Sequence, residues 1–394
     1  MAVAWGAAAV DATEGHVLSM SPDAGPAPFA LGMGILAAAL ALPGIQCAHA
    51  ETAPERGLVA YKHLDYEDSQ PGWDRIDVEA HAVRMLLPVA GKWLLDGSVT
   101  RDVVSGASPS FHTSRLRAGA IEEERDGWDL QVTRYFARGT LAVGITDSGE
   151  SDYTSRGYAV TGSISSESRN TTLNLGLATT RDRIDAPWIG VRHEPKNADE
   201  WLLGVTQILT AVDIVQLSYT RYDGDGYYSD PYKFRDHRPD AREQDTVMVR
   251  WNHHCLDAGG TVQASYRFYS DSFDVSAHTI ALEYVQPLPD GWTITPIVRL
   301  YAQSAADFYL DPRYPGVPTI RPRDEIQSQD QRLSSFAALT YGLKIGKQLG
   351  PDWLVDLRYE RYEQDSDWTP FGAGSPGIEP LHASWLQFGI AWSF

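Results

Sequence analysis

Seven charged residues sit at alternate positions within runs of alternating polarity: Arg250, Arg267, Glu283, Arg299, Asp356, Arg358 and Glu360. Gathered on the wall of a pore, they would form a constriction that selects ions or small polar solutes. Paired across neighbouring strands, they would instead fill an interior with opposite charges. The alternation of sign favours pairing. His253-His254-Cys255 places three metal-binding residue types together. On a strand, however, His253 and Cys255 share a face while His254 points away. A zinc site needs three or four convergent ligands, so no metal is expected there. Asp223-Gly-Asp225-Gly-Tyr-Tyr-Ser-Asp230 spaces oxygen donors closely but lacks the later bidentate Glu of a calcium loop. His112, His193 and His237 lie among loop acids. Their spacing fixes no triad or dyad, so no catalytic residue and no cofactor is assigned.

The elements that must position these residues are strands. Leu386, Phe388, Ile390, Trp392 and Phe394 alternate with Gln387, Gly389, Ala391 and Ser393 up to the last residue. That period of two gives one apolar face and one small or polar face. The same alternation recurs along the chain. It predicts sixteen strands near 57–66, 75–88, 92–104, 125–136, 140–149, 153–166, 170–182, 198–209, 212–222, 244–256, 260–271, 275–287, 291–303, 333–347, 353–363 and 381–394. Short connections alternate with long or polar ones, the latter at 67–74, 105–124, 183–197, 223–243, 304–332 and 364–380, with tighter versions near 147–152 and 271–274. An all-β, antiparallel up-and-down transmembrane barrel sorts its turns and loops in this way. Trp93, Trp292, Trp353, Phe136, Trp392 and Phe394 then fall at one rim, as an interfacial girdle. A soluble secreted β-sandwich is the competing architecture.

Composition agrees with a secreted barrel. The 394 residues carry a net charge of −19 and only two cysteines. The mean hydropathy of −0.30 excludes a polytopic helical membrane protein. The acidic balance argues against nucleic acid as a partner. Phe29 to Pro43 is the one long apolar run, too short for a comfortable membrane helix. Ala48-His49-Ala50 follows it as a cleavage pattern, so residues 1–50 read as an extension plus secretory signal, cut after Ala50. The absence of Lys and Arg before Arg56 fits a signal poorly and leaves Met20 or Met33 as alternative starts. Cys47 sits in a poor lipobox; without residues 1–50 only Cys255 remains, which excludes an intrachain disulfide. The expected location of residues 51–394 is the bacterial outer membrane. The expected partners are its lipid and the barrel-assembly machinery, which would read Phe388, Ile390, Trp392 and Phe394 as a closing-strand signal.

The loops carry longer motifs: Val104-Ser-Gly-Ala-Ser-Pro109, Gly226-Tyr-Tyr-Ser-Asp-Pro-Tyr-Lys233, Tyr266-Arg-Phe-Tyr-Ser-Asp271, Glu283-Tyr-Val-Gln-Pro287, Leu300-Tyr-Ala-Gln-Ser-Ala-Ala-Asp-Phe-Tyr309, Tyr359-Glu-Arg-Tyr-Glu363 and Ala373-Gly-Ser-Pro-Gly377. Together the chain resembles the bacterial family catalogued as domain of unknown function 3570, over essentially all of residues 51–394. The resemblance implies a secreted outer-membrane barrel. Such genes often lie beside those of a small lipoprotein, a thioredoxin-like protein and a flavin transferase. It therefore implies an envelope redox or flavin-modification system, with a lipoprotein or thioredoxin-like partner. It supplies no catalytic residues. The candidate loop residues are Ser105, Ser108, Tyr228, Asp230, Tyr232, Asp307 and Tyr309. The reading is a channel or membrane scaffold, with a plugged, surface-anchored enzyme or assembly factor as the alternative.

Overall fold

A computed structural model describes residues 52–106, 121–233, 235–312, 319, 321–372 and 374–394. Alternating polarity becomes sixteen strands: β1 Leu58–Gln70, β2 Trp73–Val89, β3 Trp93–Gly106, β4 Ile121–Phe136, β5 Gly139–Gly149, β6 Tyr153–Ser165, β7 Thr171–Ala186, β8 Val191–Ile208, β9 Asp213–Gly226, β10 Ala241–Cys255, β11 Gly260–Asp271, β12 Ser276–Leu288, β13 Trp292–Gln303, β14 Phe336–Leu349, β15 Trp353–Asp365 and β16 Leu381–Ser393. Each strand pairs antiparallel with its sequence neighbours, and β16 pairs with β1 from Leu58↔Ser393 to Ser69↔His382. The sheet is therefore one closed barrel. Closure removes the unpaired edges that hydrocarbon would not tolerate. A β-sandwich is excluded, because there is no second sheet to pack on the first among the described residues.

One end of the barrel carries only short turns, between residues 90 and 92 or 350 and 352, for example. The other end carries the long loops 227–240, 304–335 and 366–380. Two expected loops are strand instead. Residues 67–74 shrink to the turn Pro71-Gly72, and 183–197 to a connection between Ala186 and Val191. Their polar residues misled the pattern because these strand ends rise beyond the apolar belt, where the outward face also meets water. The expected extension and signal at 1–50 lie outside the described residues.

The outward face explains the alternation. In the stretches of β7, β14 and β16 that carry the belt, Leu173, Leu175 and Leu177, then Ile345, Leu343 and Tyr341, then Trp392, Phe388 and Leu386 are exposed at outward positions, with Ile390 half-buried between the last strand's residues. Trp93, Phe136, Trp292, Trp353, Trp392 and Phe394 ring the turn end and are all exposed. Trp353 stacks on Trp392 at 6.0 Å, and Arg134 lies over Trp93 at 4.8 Å. A second ring, not anticipated from sequence, lies nearer the loop end: Trp128, Tyr158, Trp201, Tyr219, Tyr266, Tyr341 and Tyr359. Just beyond it come outward ion pairs such as Arg156–Asp147, Arg221–Asp245 and Arg361–Glu363. Two aromatic girdles with an apolar band between them are the geometry of a membrane-spanning barrel. Such a continuous apolar belt is far beyond what a soluble surface exposes.

Leu175 is 60% exposed at the centre of this band. Leu175→Arg is expected to destabilise the folded barrel by about 2–4 kcal/mol in a bilayer. Reversible urea unfolding in liposomes measures it. An unchanged midpoint would mean the belt does not face lipid.

The last strand closes the ring by a backbone clasp. Gly57 and Phe394 exchange N–H···O bonds in both directions at 2.9 Å. A Cβ on Gly57 would lie 2.4 Å from the Phe394 ring, so a larger residue here would push that ring aside. Phe388, Ile390 and Trp392 sit on the outward side of β16, and Phe394, just past its end, is exposed beside them.

Candidate functional site

Between β9 and β10 the chain leaves the wall and turns inward. Gly226 begins this with φ of +120°, and a Cβ there would lie 2.1 Å from the carbonyl oxygen of Pro195. Glycine alone tolerates both conditions. Asp230 then accepts a hydrogen bond from the backbone N–H of Tyr232 at 2.8 Å, an Asx-type turn across Pro231. That turn projects Tyr232 into the barrel mouth. Its ring packs against the cluster of Leu64, Ile76, Val78 and Val104 on β1 to β3. Its hydroxyl donates to Asp152 at 2.7 Å, and its ring lies 5.4 Å from Trp188. In the ring of strands β10 and β2 are eight places apart, on opposite walls. The β9–β10 loop therefore crosses the mouth.

Behind Tyr232 lies a buried ionic cluster. Arg332, from the β13–β14 loop, donates to Asp230 and, through Nε, to Asp330 at 2.8 Å. Arg238 donates to Asp236 at 2.7 Å and to Asp330 at 2.9 Å. Arg75 of β2 lies 3.4 Å from Asp68 and donates to the Gln331 side-chain carbonyl at 2.9 Å. Lys233 is buried beside them. Four acids thus face four bases, and two loops are tied to each other and to the far wall. Burial raises the Asp330 and Asp230 carboxyls, but their cationic neighbours outweigh it: Arg332 and Lys233 hold both below the ordinary range, Asp330 far below. Burial dominates at Asp236, whose carboxyl is raised, and at Lys233, whose ammonium is pushed down to about 8.

An apolar layer supports the cluster. Tyr228, Phe273, Val275, Ala306, Phe308 and Leu333 pack together, joining both loops to the β11–β12 turn. Residues 327–331 and 333–335 are buried throughout. The β15–β16 loop joins through Ser375, which exchanges backbone and side-chain bonds with Ser335. At the loop end the mouth is spanned by packed protein.

The candidate loop residues divide accordingly. Tyr228, Asp230 and Tyr232 are central to the plug, and Tyr309 is part-buried at its edge, bridging to Ser328. Asp307 is exposed and contributes its backbone N–H to Phe273. Ser105 lies in β3, while Ser108 and His112 are outside the described residues. No sequence signal pointed to Arg238, Asp330 or Arg332, because their partners are distant along the chain.

Below the plug, the seven lumen candidates all project inward. Arg358 donates to Glu360 at 2.6 Å and lies 3.9 Å from Glu283. Asp356 lies 3.8 Å from Lys344. Arg299 is buried on β13, Arg250 is half-buried on β10, and Arg267 of β11 donates to Thr279 at 3.3 Å. Arg84–Asp96, Arg125–Asp102 and Lys196–Asp182 add inward pairs that the sequence reading omitted. Ion pairs that include Glu283, Asp356, Arg358 and Glu360 line part of this interior.

The other motifs do not converge. Asp223 faces outward and pairs with Arg221 at 2.9 Å, whereas Asp230 is held in the plug, so no calcium loop forms. His253 and the Trp251 indole N–H both engage Asp213, at 2.8 and 3.0 Å, while His254 contacts Thr261. His193 pairs with Asp185, and His237 bonds the Glu325 carbonyl at 3.2 Å.

Comparison with known proteins follows this geometry. A family model described as "Protein of unknown function (DUF3570)" matches residues 113–189 and 187–379. No curated protein matches the chain. Among solved structures, a bacterial polysaccharide outer membrane secretin superposes with a TM-score of 0.50 at 8% identity, covering 86% of this chain and 98% of that one. CdiB from Acinetobacter baumannii gives 0.47 at 10% identity, covering 85% and 60%. OccAB3 from Acinetobacter baumannii gives 0.43 at 10% identity, covering 86% and 99%. At such identities the likeness is one of fold.

Proposed function

The chain belongs to the family described as protein of unknown function (DUF3570), and from that premise we propose that it serves in the bacterial outer membrane as a loop-sealed barrel, a membrane scaffold rather than an open diffusion pore. One observation carries this reading. The β9–β10 loop spans the mouth and is fixed there by Tyr232 and by the buried Asp230–Arg332–Asp330–Arg238 network. A sixteen-stranded barrel is wide enough to pass water unless loops fill it. Here loops cross its mouth, and ion pairs line part of the wall beneath. In this reading Arg250, Arg267, Glu283, Arg299, Asp356, Arg358 and Glu360 hold the walls together and do not select a solute.

The apolar belt and the two girdles support insertion in a bilayer. The outward aromatic face of β16 supports a role for Phe388, Ile390, Trp392 and Phe394 in recognition by the assembly machinery. The family's association with lipoprotein, thioredoxin-like and flavin-transferase genes supports an envelope redox partner, bound at the exposed rims.

One preparation tests the proposal. The protein is expected in the outer-membrane fraction, beginning at Glu51, with a lipoprotein or thioredoxin-like partner retained after mild crosslinking. In planar bilayers it is expected to be electrically silent. A steady conductance of water-filled-pore size from the unmodified protein would overturn the scaffold reading.

A further inference from the structure

On the outer wall of the β1–β2 hairpin, four side chains form a two-by-two patch. The register pairs His63 with His81 and, next above, Asp65 with Glu79. The imidazole rings are 4.9 Å apart. His63 Nε2 lies 3.1 Å from Asp65, and His81 Nε2 lies 3.3 Å from Glu79. Donor atoms of His63, Glu79 and His81 all fall within 4.8 Å of one another. The next rung pairs Glu67 with Asp77, also outward.

This patch differs from the rest of the outward charged ring. Elsewhere a carboxylate meets an arginine, as in Arg156–Asp147 and Arg361–Glu363, and even the opposed Asp223 and Glu243 are bridged by Arg221. Here Asp65 faces Glu79 and Glu67 faces Asp77, and like charges directly opposite are destabilising. Arg101 is across from His81 but turns to Glu124 at 2.6 Å. Ser384 donates to Glu67 at 2.9 Å. His63 Nδ1 is buried and has no hydrogen-bond partner. The other histidine is oriented: Tyr61 Oη and His81 Nδ1 are 2.8 Å apart. With Nδ1–H donating to the Tyr61 oxygen, Nε2 of His81 presents its lone pair towards Glu79, the usual arrangement of a ligating histidine.

We propose that His63, His81 and Glu79, with Asp65 beside them, bind a divalent transition metal on the outer wall, at the margin of the apolar belt where His63 is across from Phe388 and His81 from Arg101. Ligands on one tetrahedral zinc ion lie about 3.4 Å apart. Rotation of the exposed Glu79 and His81 side chains closes the present separation, because the backbone register already fixes the imidazole pair. Two imidazoles select copper, nickel or zinc over magnesium or calcium. The ion would bridge β1 and β2 and relieve the opposed carboxylates.

The test uses the full protein in detergent micelles, with heat-modifiable gel migration confirming that each variant is folded. Zinc titrated by calorimetry is expected to bind one site per chain and to resist competition by calcium. His63→Gln and His81→Gln are expected to abolish that site. Tyr61→Phe is expected to weaken it by about tenfold through loss of ring orientation, and His253→Gln to leave it intact. Copper at one equivalent is expected to give an electron paramagnetic resonance spectrum with coupling to two imidazole nitrogens. Equal zinc affinity in wild type and the His63→Gln/His81→Gln double variant would overturn the site. So would effective competition by calcium, or a copper spectrum with oxygen donors only.

Discussion

Asp330→Ala is expected to unseal the barrel. Asp330 is fully buried and accepts hydrogen bonds from Arg238 at 2.9 Å, from Arg332 Nε at 2.8 Å and from the Arg332 backbone at 3.0 Å. Removing it leaves two guanidinium groups with too few acids in a desolvated place. Breaking such a pair from one side costs about 3–5 kcal/mol, mostly from the stranded charge. The strand ladder does not involve Asp330, so the loss falls on the plug and not on the wall. The β13–β14 loop should detach from the β9–β10 loop. Bilayer recordings should then show conductance absent from the wild type. Trypsin should cut after Lys233 and Arg332, which are shielded in the closed plug. Asp307→Ala, on an exposed side chain of the same loop, should change neither. Because stranded charge drives the effect, Asp330→Leu combined with Arg238→Met, which removes one acid and one base, should recover part of the closure: Asp230 still holds Arg332, and Asp236 still accepts from the Asp230 backbone N–H. A silent, trypsin-resistant Asp330→Ala protein would show that the ionic cluster does not hold the plug.

The wall was readable from sequence because its code is local. Tyr266-Arg-Phe-Tyr alternates within β11, and Gly260 to Asp271 fall where the pattern places them. Lipid outside and polar interior inside repeat every two residues, so each strand declares both its existence and its faces. The code weakens where the solvent changes. Above the belt the outward face becomes polar, and Arg183, Glu194 and Asp223 then read as loop although they lie in β7, β8 and β9. At Arg75 the alternation itself breaks: a register shift between Asp68 and Ser69 leaves consecutive Arg75 and Ile76 both buried.

The plug was only half readable. Tyr228, Asp230 and Tyr232 stood out as a motif, but their partners lie far along the chain. Asp230 meets Arg332 across 102 positions, and Tyr232 meets Asp152 across 80. No periodicity links such residues, because loop conformation is fixed by these contacts themselves. The His63–His81 pair escaped notice for a related reason. Each histidine is unremarkable on its own strand, and only the β1–β2 register makes them neighbours.

The same cluster should make closure depend on pH with opposite behaviour at the two extremes. Asp330 and Asp230 have carboxyls held below their unfolded values. Their contribution is therefore present above the unfolded value of about 3.9 and is lost as pH falls through the lower folded values. Asp236 acts in the other sense, since its raised carboxyl is better protonated in the closed state. It offsets the start of the acid loss, so opening should be delayed until below about pH 4. On the alkaline side Lys233 governs. Its ammonium titrates near 8 when buried, against 10.5 when free. Below 8 the closed state carries the net cost of the buried ammonium, about 3 kcal/mol, because desolvation with the nearby Arg332 and Arg75 outweighs the attraction of Asp330 and Asp230. Between 8 and 10 the opened loop binds the extra proton, so closure strengthens, by about tenfold in the opening equilibrium per pH unit. Tyr227 and Tyr228, raised to about 12 from 10.0, reverse the trend above pH 10. Hydrogen exchange of residues 227–233 and 327–335, expressed as protection factors, reads this directly. Protection should rise from pH 8 to 10, fall beyond it, and collapse below pH 4. Lys233→Met should abolish the alkaline rise and keep the acid collapse. A flat profile from pH 8 to 10 in the wild type would mean that Lys233 is not buried in the closed mouth.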